Sequence, residues 1–411
     1  MRSTSTPNNL RKWPGQSVPR RDGSPLTTPE IHLFILWPYA LAQSAEILDD
    51  IRGRFGICDM IELHWDQKHF ERNLARFYGL YGMNLSQAAE KLEHCGLGPF
   101  LVIVVEDSSP VYAQRRTWHG VADVNVNLFD AKRKYRAWTG GGHRVHATND
   151  PVEVNHDLFL LLGQRASAYA RDGSPWNGEV RRVEANLVGT TGWRDLSELF
   201  DTLDLSMKYV AIHDAEELFA PTFPNVSSRR ELDILVEDPM RAAMLVNGRS
   251  VARGGNSASQ RTLVGRESIL VNLLFVGDRY FDRAWERALL THRVEDASGV
   301  YVPAPRDRFY AALYDALVHR PQVTTEAASL LSRLAHEYSL PVGDYRDSAF
   351  AKGVLDQYLR EAGYKYVVPR DPSVYFNAEL IGRPPALARR AVLRSVRQLG
   401  NRSRRWRGRR E

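Results

Sequence analysis

The stretch RRELDILVED, residues 229–238, places two carboxylates two positions apart. On a β-strand Glu231 and Asp233 leave from one face, while Leu232 and Ile234 leave from the other. A strand ending in Ile-Leu-Val is of a buried type, and two like charges are costly there unless a cation joins them. A divalent ion held by hard oxygen ligands is the chemistry this spacing suggests. The competing reading is an edge strand whose acids face water beside Arg229 and Arg230.

A second constellation is KRKYRAWTGGGHRVHATNDPVEVNHD, residues 132–157. Gly140, Gly141 and Gly142 free the backbone to turn its N–H groups inward as an anion nest, with Arg144 at the edge. Lys132 and Arg136 lie four apart on one helix face and would close over a phosphate. The same stretch holds His143, His146, Glu153 and His156, four ligand types for a transition metal, in no established zinc spacing. A glycine turn with surface histidines is the third reading. Glu106 and Asp107 end the run FLVIVVED, at the crevice where open α/β sheets bind ligands, or simply begin a solvated loop. His119 has no partner that sequence identifies.

Charge is distributed unevenly. The ten arginines and one acid of residues 389–411 contribute +9 and the first 21 residues +5, so the body carries −8 within a net +6. The tail has the footprint of a polyanion binder, with Trp406 placed to stack, and suits nucleic acid or an anionic membrane surface. A solvated tail is the plainer alternative.

These residues need elements to hold them. Hydrophobic and charged fractions of 43% and 25% are those of an ordinary globular protein, and 411 residues allow two or three domains. The densest early apolar run, IHLFILWPYALA, is too short to span a bilayer. Cys58 and Cys95 stand apart without ligand or redox spacing, which fits a reducing compartment. The expected location is the cytoplasm, with the tail as a means of peripheral membrane attachment.

Residues 1–30 read as a disordered leader. Residues 31–163 alternate strands and helices, which implies βαβ units and a mostly parallel sheet. Asp150, Pro151 and Glu153 mark a helix start. Residues 164–193 read as a linker. In 194–300, a helix at 194–204 precedes strands at 209–214, at ELDILV and at 268–278, and helix 279–290 follows. Amphipathic helices fill 301–385, ahead of the basic tail at 386–411. The fold class is α/β, with an N-terminal α/β domain, a second α+β domain and a helical C-terminal region.

Residues 205–320 resemble the nucleotidyltransferase fold, the polymerase-beta-like superfamily, with ELDILVED matching the strand of its acid-hydrophobic-acid pair. The resemblance implies that Glu231 and Asp233 bind Mg²⁺ and that a third ligand comes from the 268–278 strand. Asn272 occupies the inward position, and Asp278 is the alternative. RFYAALYDALVHR looks like the helix that follows the sheet in stand-alone members. The family's Gly-Ser or Gly-Gly does not occur near AIHDAEE, residues 211–217. The chain is also similar to uncharacterised proteins of bacterial surface-polysaccharide gene clusters, whose third strand carries Asp at the Asn272 position.

The activity so implied is Mg²⁺-dependent nucleotidyl or phosphoryl transfer from a nucleoside triphosphate or nucleotide-sugar to a hydroxyl of a sugar or polyol. The glycine loop, Lys132, Arg136 and Arg144 would contact phosphate. The missing Gly-Ser and Asn272 suit a second reading, a nucleic-acid-binding or regulatory protein on a degenerate transferase scaffold.

Overall fold

The computed structural model describes residues 28–117, 120–170, 176–213, 231–251 and 259–382. The chain is mixed α/β and divides into two compact units, Met1–Val188 and Gly189–Glu411. Among the described residues no helix is long and apolar enough to cross a membrane. The leader, His119, most of the AIHDAEE stretch, Arg229, Arg230 and the Arg-rich tail lie outside the described residues.

The first unit is built on β1 (Glu30–Leu36), β2 (Gly56–His64), β3 (Phe100–Asp107), β6 (Val145–Ala147) and β7 (Arg181–Glu184). Their order is β6-β1-β3-β2-β7, and β4 (Tyr112–Thr117) pairs with β5 (Gly120–Asn125) as a separate hairpin. The expected mostly parallel sheet is corrected. β3 runs antiparallel to both β1 and β2, β6 is antiparallel to β1, and only β7 is parallel to its neighbour. The cause lies between β2 and β3. One helix there would make the strands parallel, but α2 (Phe70–Phe77) is followed by α3 (Leu85–Cys95), and the two pack together. The pair returns the chain to the edge it left.

The short α1 (Ser44–Arg52) and α4 (Val126–Trp138) cover one sheet face, where Ile47, Ile51, Leu128, Ala131 and Tyr135 meet Phe34, Ile103 and Val105. Helix α5 (Pro151–Leu162) starts as the sequence expects. Asp150 accepts from the Val152 and Glu153 N–H groups, and Pro151 holds the first position. The stretch expected as a linker supplies β7, which extends the sheet beside β2.

In the second unit α6 (Leu196–Ser206) leads into a five-stranded sheet ordered β10-β11-β12-β9-β8. Its members are β8 (Tyr209–His213), β9 (Glu231–Val236), β10 (Arg249–Ser250), β11 (Gln260–Val264) and β12 (Glu267–Phe275). β9 and β12 are parallel, and α7 (Pro239–Val246) lies in the connection that makes this possible. The other pairings are antiparallel.

The sequence reads β12 on through Asp278, but the strand stops at Phe275 and α8 (Arg283–His292) begins four residues later than expected. Gly277 has φ +102°, a left-handed conformation that breaks the strand. The strand pair β13 (Val294–Glu295) and β14 (Tyr301–Val302) follows. Helices α9 (Pro305–Val318), α10 (Thr325–Glu337) and α11 (Ser348–Ala362), with the short α12 (Ala378–Ile381), then form the helical region. Its core joins Trp285, Tyr314, Leu331 and Leu355 to Val210 and Leu235 of the sheet.

Candidate active site

The alternation of β9 works as its sequence requires. Leu232 and Ile234 are fully buried, whereas Glu231 and Asp233 are half-buried on the opposite face. Parallel pairing sets Asn272 of β12 directly opposite Asp233. The Asn272 Nδ2 donates to Asp233 Oδ1 at 2.8 Å and to Glu231 Oε2 at 3.3 Å. One amide thus bridges the two carboxylates from the neighbouring strand. Its orientation follows from the hydrogen-bond network, and a half-turn about its last torsion would present Oδ1 instead.

These three side chains line a cleft of about 390 Å³. Its opposite wall comes from the end of α9 and the residues just after it. Asp315 accepts from the Tyr280 hydroxyl at 2.6 Å and from Arg320 Nε at 2.8 Å. Burial, then the Asp315 and Asp233 charges, push the Tyr280 phenol well above its ordinary range. His319 Nδ1 faces the Tyr375 carbonyl at 3.1 Å and Nε2 faces the Tyr280 carbonyl at 2.9 Å. Both ring nitrogens thus face backbone oxygens, which fixes the ring between residues 280 and 375. The cleft therefore joins an oxygen-rich floor to the Arg320 guanidinium and the His319 ring.

Asp278 also lines this cleft, but its carboxyl does not complete a ligand set. Oδ2 accepts from the Phe275 N–H and Oδ1 from the Tyr280 N–H, so it caps the turn that ends β12. Glu286, fully buried, accepts from the Gly277 N–H at 2.6 Å and shares a hydrogen bond with Asp278. Burial and next the Asp278 charge push the Glu286 carboxyl up to about 8. The two acids form a proton-sharing pair beneath the cleft rather than a metal ligand.

The glycine loop departs from the expected phosphate cradle. Gly140, Gly141 and Gly142 all have positive φ, between 70° and 87°. However, the Gly140 and Gly141 N–H groups donate to the Ala137 and Arg136 carbonyls and close the C-terminal end of α4. The cations beside it are spent on backbone oxygens as well. Lys132 Nζ donates to the Ala147 carbonyl and Asn149 Oδ1, both at 2.9 Å, Arg136 Nε to the Val145 carbonyl, and Arg144 to the Thr139 carbonyl. Lys132 is buried.

Of the four metal-ligand candidates nearby, His146 and Glu153 come together, joined by Asp157, which the sequence reading passed over. His146 Nε2 lies 2.8 Å from Asp157 Oδ2, and His156 Nδ1 lies 2.9 Å from Asp157 Oδ1. Glu153 Oε2 accepts from the Asn149 backbone and side chain. With the positive Lys132 close to both acids, this is a buried network in which a side chain supplies the positive charge, although His156 Nε2 has no hydrogen-bond partner among the described residues. Asp107 likewise accepts from Asn125 and Asn127 at the start of α4.

Sequence reasoning also missed Asp315, His319 and Arg320. The available signal was an acid and a histidine four apart at the end of α9, a spacing that puts both on one helix face. Compared with known proteins, the chain matches no protein-family model and no curated protein.

Proposed function

We propose that the second unit is a divalent-cation-dependent transferase centre of the nucleotidyltransferase type, acting on a nucleotide donor and a hydroxylated acceptor. The observation that carries this reading is the meeting of Glu231, Asp233 and Asn272 from two parallel strands at the floor of one cleft. Two carboxylates and an amide oxygen are hard donors that fit Mg²⁺. Glu231 and Asp233 would hold the ion, with Asn272 turning its Oδ1 inward to join them. The ion would neutralise phosphate charge and orient the transferring group. Arg320, which also lines the cleft, would supply positive charge for the remaining phosphate oxygens, with the His319 ring beside it. The donor class is a nucleoside triphosphate or nucleotide-sugar, and the acceptor a sugar or polyol hydroxyl.

A second reading is favoured by the direction of the Asn272 bonds. An amide that donates to both acids satisfies them without a metal, as a regulatory or nucleic-acid-binding descendant of such an enzyme would require. A thermal-shift screen of nucleoside triphosphates and nucleotide-sugars, with and without Mg²⁺, separates the two. The transferase reading expects a melting-point rise that needs nucleotide and Mg²⁺ together and disappears in Asp233→Ala. Equal shifts without Mg²⁺, or in Asp233→Ala, support the degenerate scaffold.

A further inference from the structure

His146, Glu153 and Asp157 of the first unit are all buried, and the transferase reading uses none of them. Glu153 and Asp157 lie four apart on one face of α5, and His146 comes from the edge strand β6. One ligand atom from each residue lies within 4.8 Å of the other two. His146 Nε2 is 2.8 Å from Asp157 Oδ2 and 3.7 Å from Glu153 Oε1. A tetrahedral ion with bonds of about 2.0 Å needs its ligand atoms about 3.3 Å apart. The two observed separations bracket that value.

Each donor is also fixed from behind. Glu153 turns Oε1 toward His146, while its Oε2 accepts from the Asn149 N–H and Nδ2 at 2.6 and 2.7 Å. Asp157 turns Oδ2 toward His146, while its Oδ1 meets His156 Nδ1 at 2.9 Å. His156 is fully buried and its Nε2 has no hydrogen-bond partner, so the work of this ring is to orient Asp157. Phe77 and Tyr78 hold the His146 ring edge-on, at 5.4 and 5.5 Å. Lys132, although near both acids, gives its ammonium to the Ala147 carbonyl and Asn149 Oδ1. Ligands anchored through their far atoms are what a metal site requires.

We propose that His146, Glu153 and Asp157 bind a divalent first-row transition ion, Zn²⁺ by preference, which ties β6 to α5. β6 pairs with β1 over only three residues, so a tie from its central residue secures a short edge. One imidazole nitrogen and two carboxylate oxygens match Zn²⁺ and leave its fourth position to water. In the metal-free ring Nε2 carries the proton, because the Asp157 carboxylate only accepts. Binding moves that proton to Nδ1 and gives the Nε2 lone pair to the ion. Mn²⁺, the weakest binder of the series, and Mg²⁺, which sheds water reluctantly, suit the cleft of the second unit instead.

The test is calorimetric titration of the full-length, chelator-treated protein with Zn²⁺, followed by absorption spectroscopy with Co²⁺. The wild type is expected to bind Zn²⁺ and to melt at a higher temperature when it does. Glu153→Gln and Asp157→Asn keep the side-chain shapes and should each weaken binding on the order of tenfold or more. Asp157→Cys exchanges an oxygen ligand for a thiolate, so its Co²⁺ complex should gain a thiolate-to-cobalt charge-transfer band that the wild type lacks. Asp233→Asn, which disables the cleft, should leave Zn²⁺ affinity unchanged. Absence of Zn²⁺ binding in the wild type overturns the proposal, and so does a missing charge-transfer band in Asp157→Cys. Affinity kept in both Glu153→Gln and Asp157→Asn would put the ion elsewhere on the surface, and affinity lost only in Asp233→Asn would put it in the cleft; either result overturns the site.

Discussion

Asn272 is the residue on which the chemistry of the cleft turns. Replacing it with Asp adds a third carboxylate where an amide now donates to two. Without a divalent ion, Asn272→Asp should cost about 1–3 kcal/mol from lost donors and like-charge repulsion. Added Mg²⁺ should recover that loss, measured as a melting temperature that becomes dependent on the ion. Glu286 makes a second prediction. A carboxyl raised to about 8 in the folded protein keeps its proton where the unfolded chain, near 4.5, has lost it. The folded state therefore binds more protons between these values, and stability falls as pH rises from about 4.5 to about 8. Glu286→Gln should flatten that slope in urea unfolding; a slope identical to wild type would remove the proton-sharing pair. Glu231 and Asp233 were legible because a period of two is a local property. His319 was not, since its role depends on two carbonyls, from residues 280 and 375, that only the fold brings to it.

At the scale of elements, a helix start was readable where a side chain caps it, as at Asp150. Strand direction was not, because it depends on the number of helices between strands, and α3 was unread in the sequence. The same limit misplaced Asp278. A run of apolar residues shows that a strand exists, but the left-handed Gly277 that ends it is a backbone choice. The glycine loop illustrates the point from the other side. Three glycines announce positive φ, yet not whether the freed N–H groups face a ligand or a helix end. Gly141 has φ +87° with open space around a would-be Cβ. Gly141→Ala should thus lower stability by about 1–2 kcal/mol through backbone strain alone, with nucleotide affinity unchanged. A loss of nucleotide binding at full stability would restore the loop as a donor contact.

For the molecule as a whole, the division of charge is the main unexplained property: an acidic body with ten arginines in residues 389–411. Deleting 389–411 should leave the melting temperature nearly unchanged and remove most affinity for anionic vesicles or nucleic acid. Each arginine near an anionic membrane contributes on the order of 1 kcal/mol, and salt should abolish the binding. Vesicles bound in preference to nucleic acid would place the protein at a membrane surface; the reverse would favour the regulatory reading. The central claim, however, rests on the cleft between β9 and β12. Its most direct test is electron paramagnetic resonance of Mn²⁺, in place of Mg²⁺, titrated into the full-length protein with a nucleoside triphosphate present. The account predicts a protein-bound signal in the wild type that Asp233→Asn and Glu231→Gln each abolish; Mn²⁺ bound equally by the wild type and both variants would contradict it.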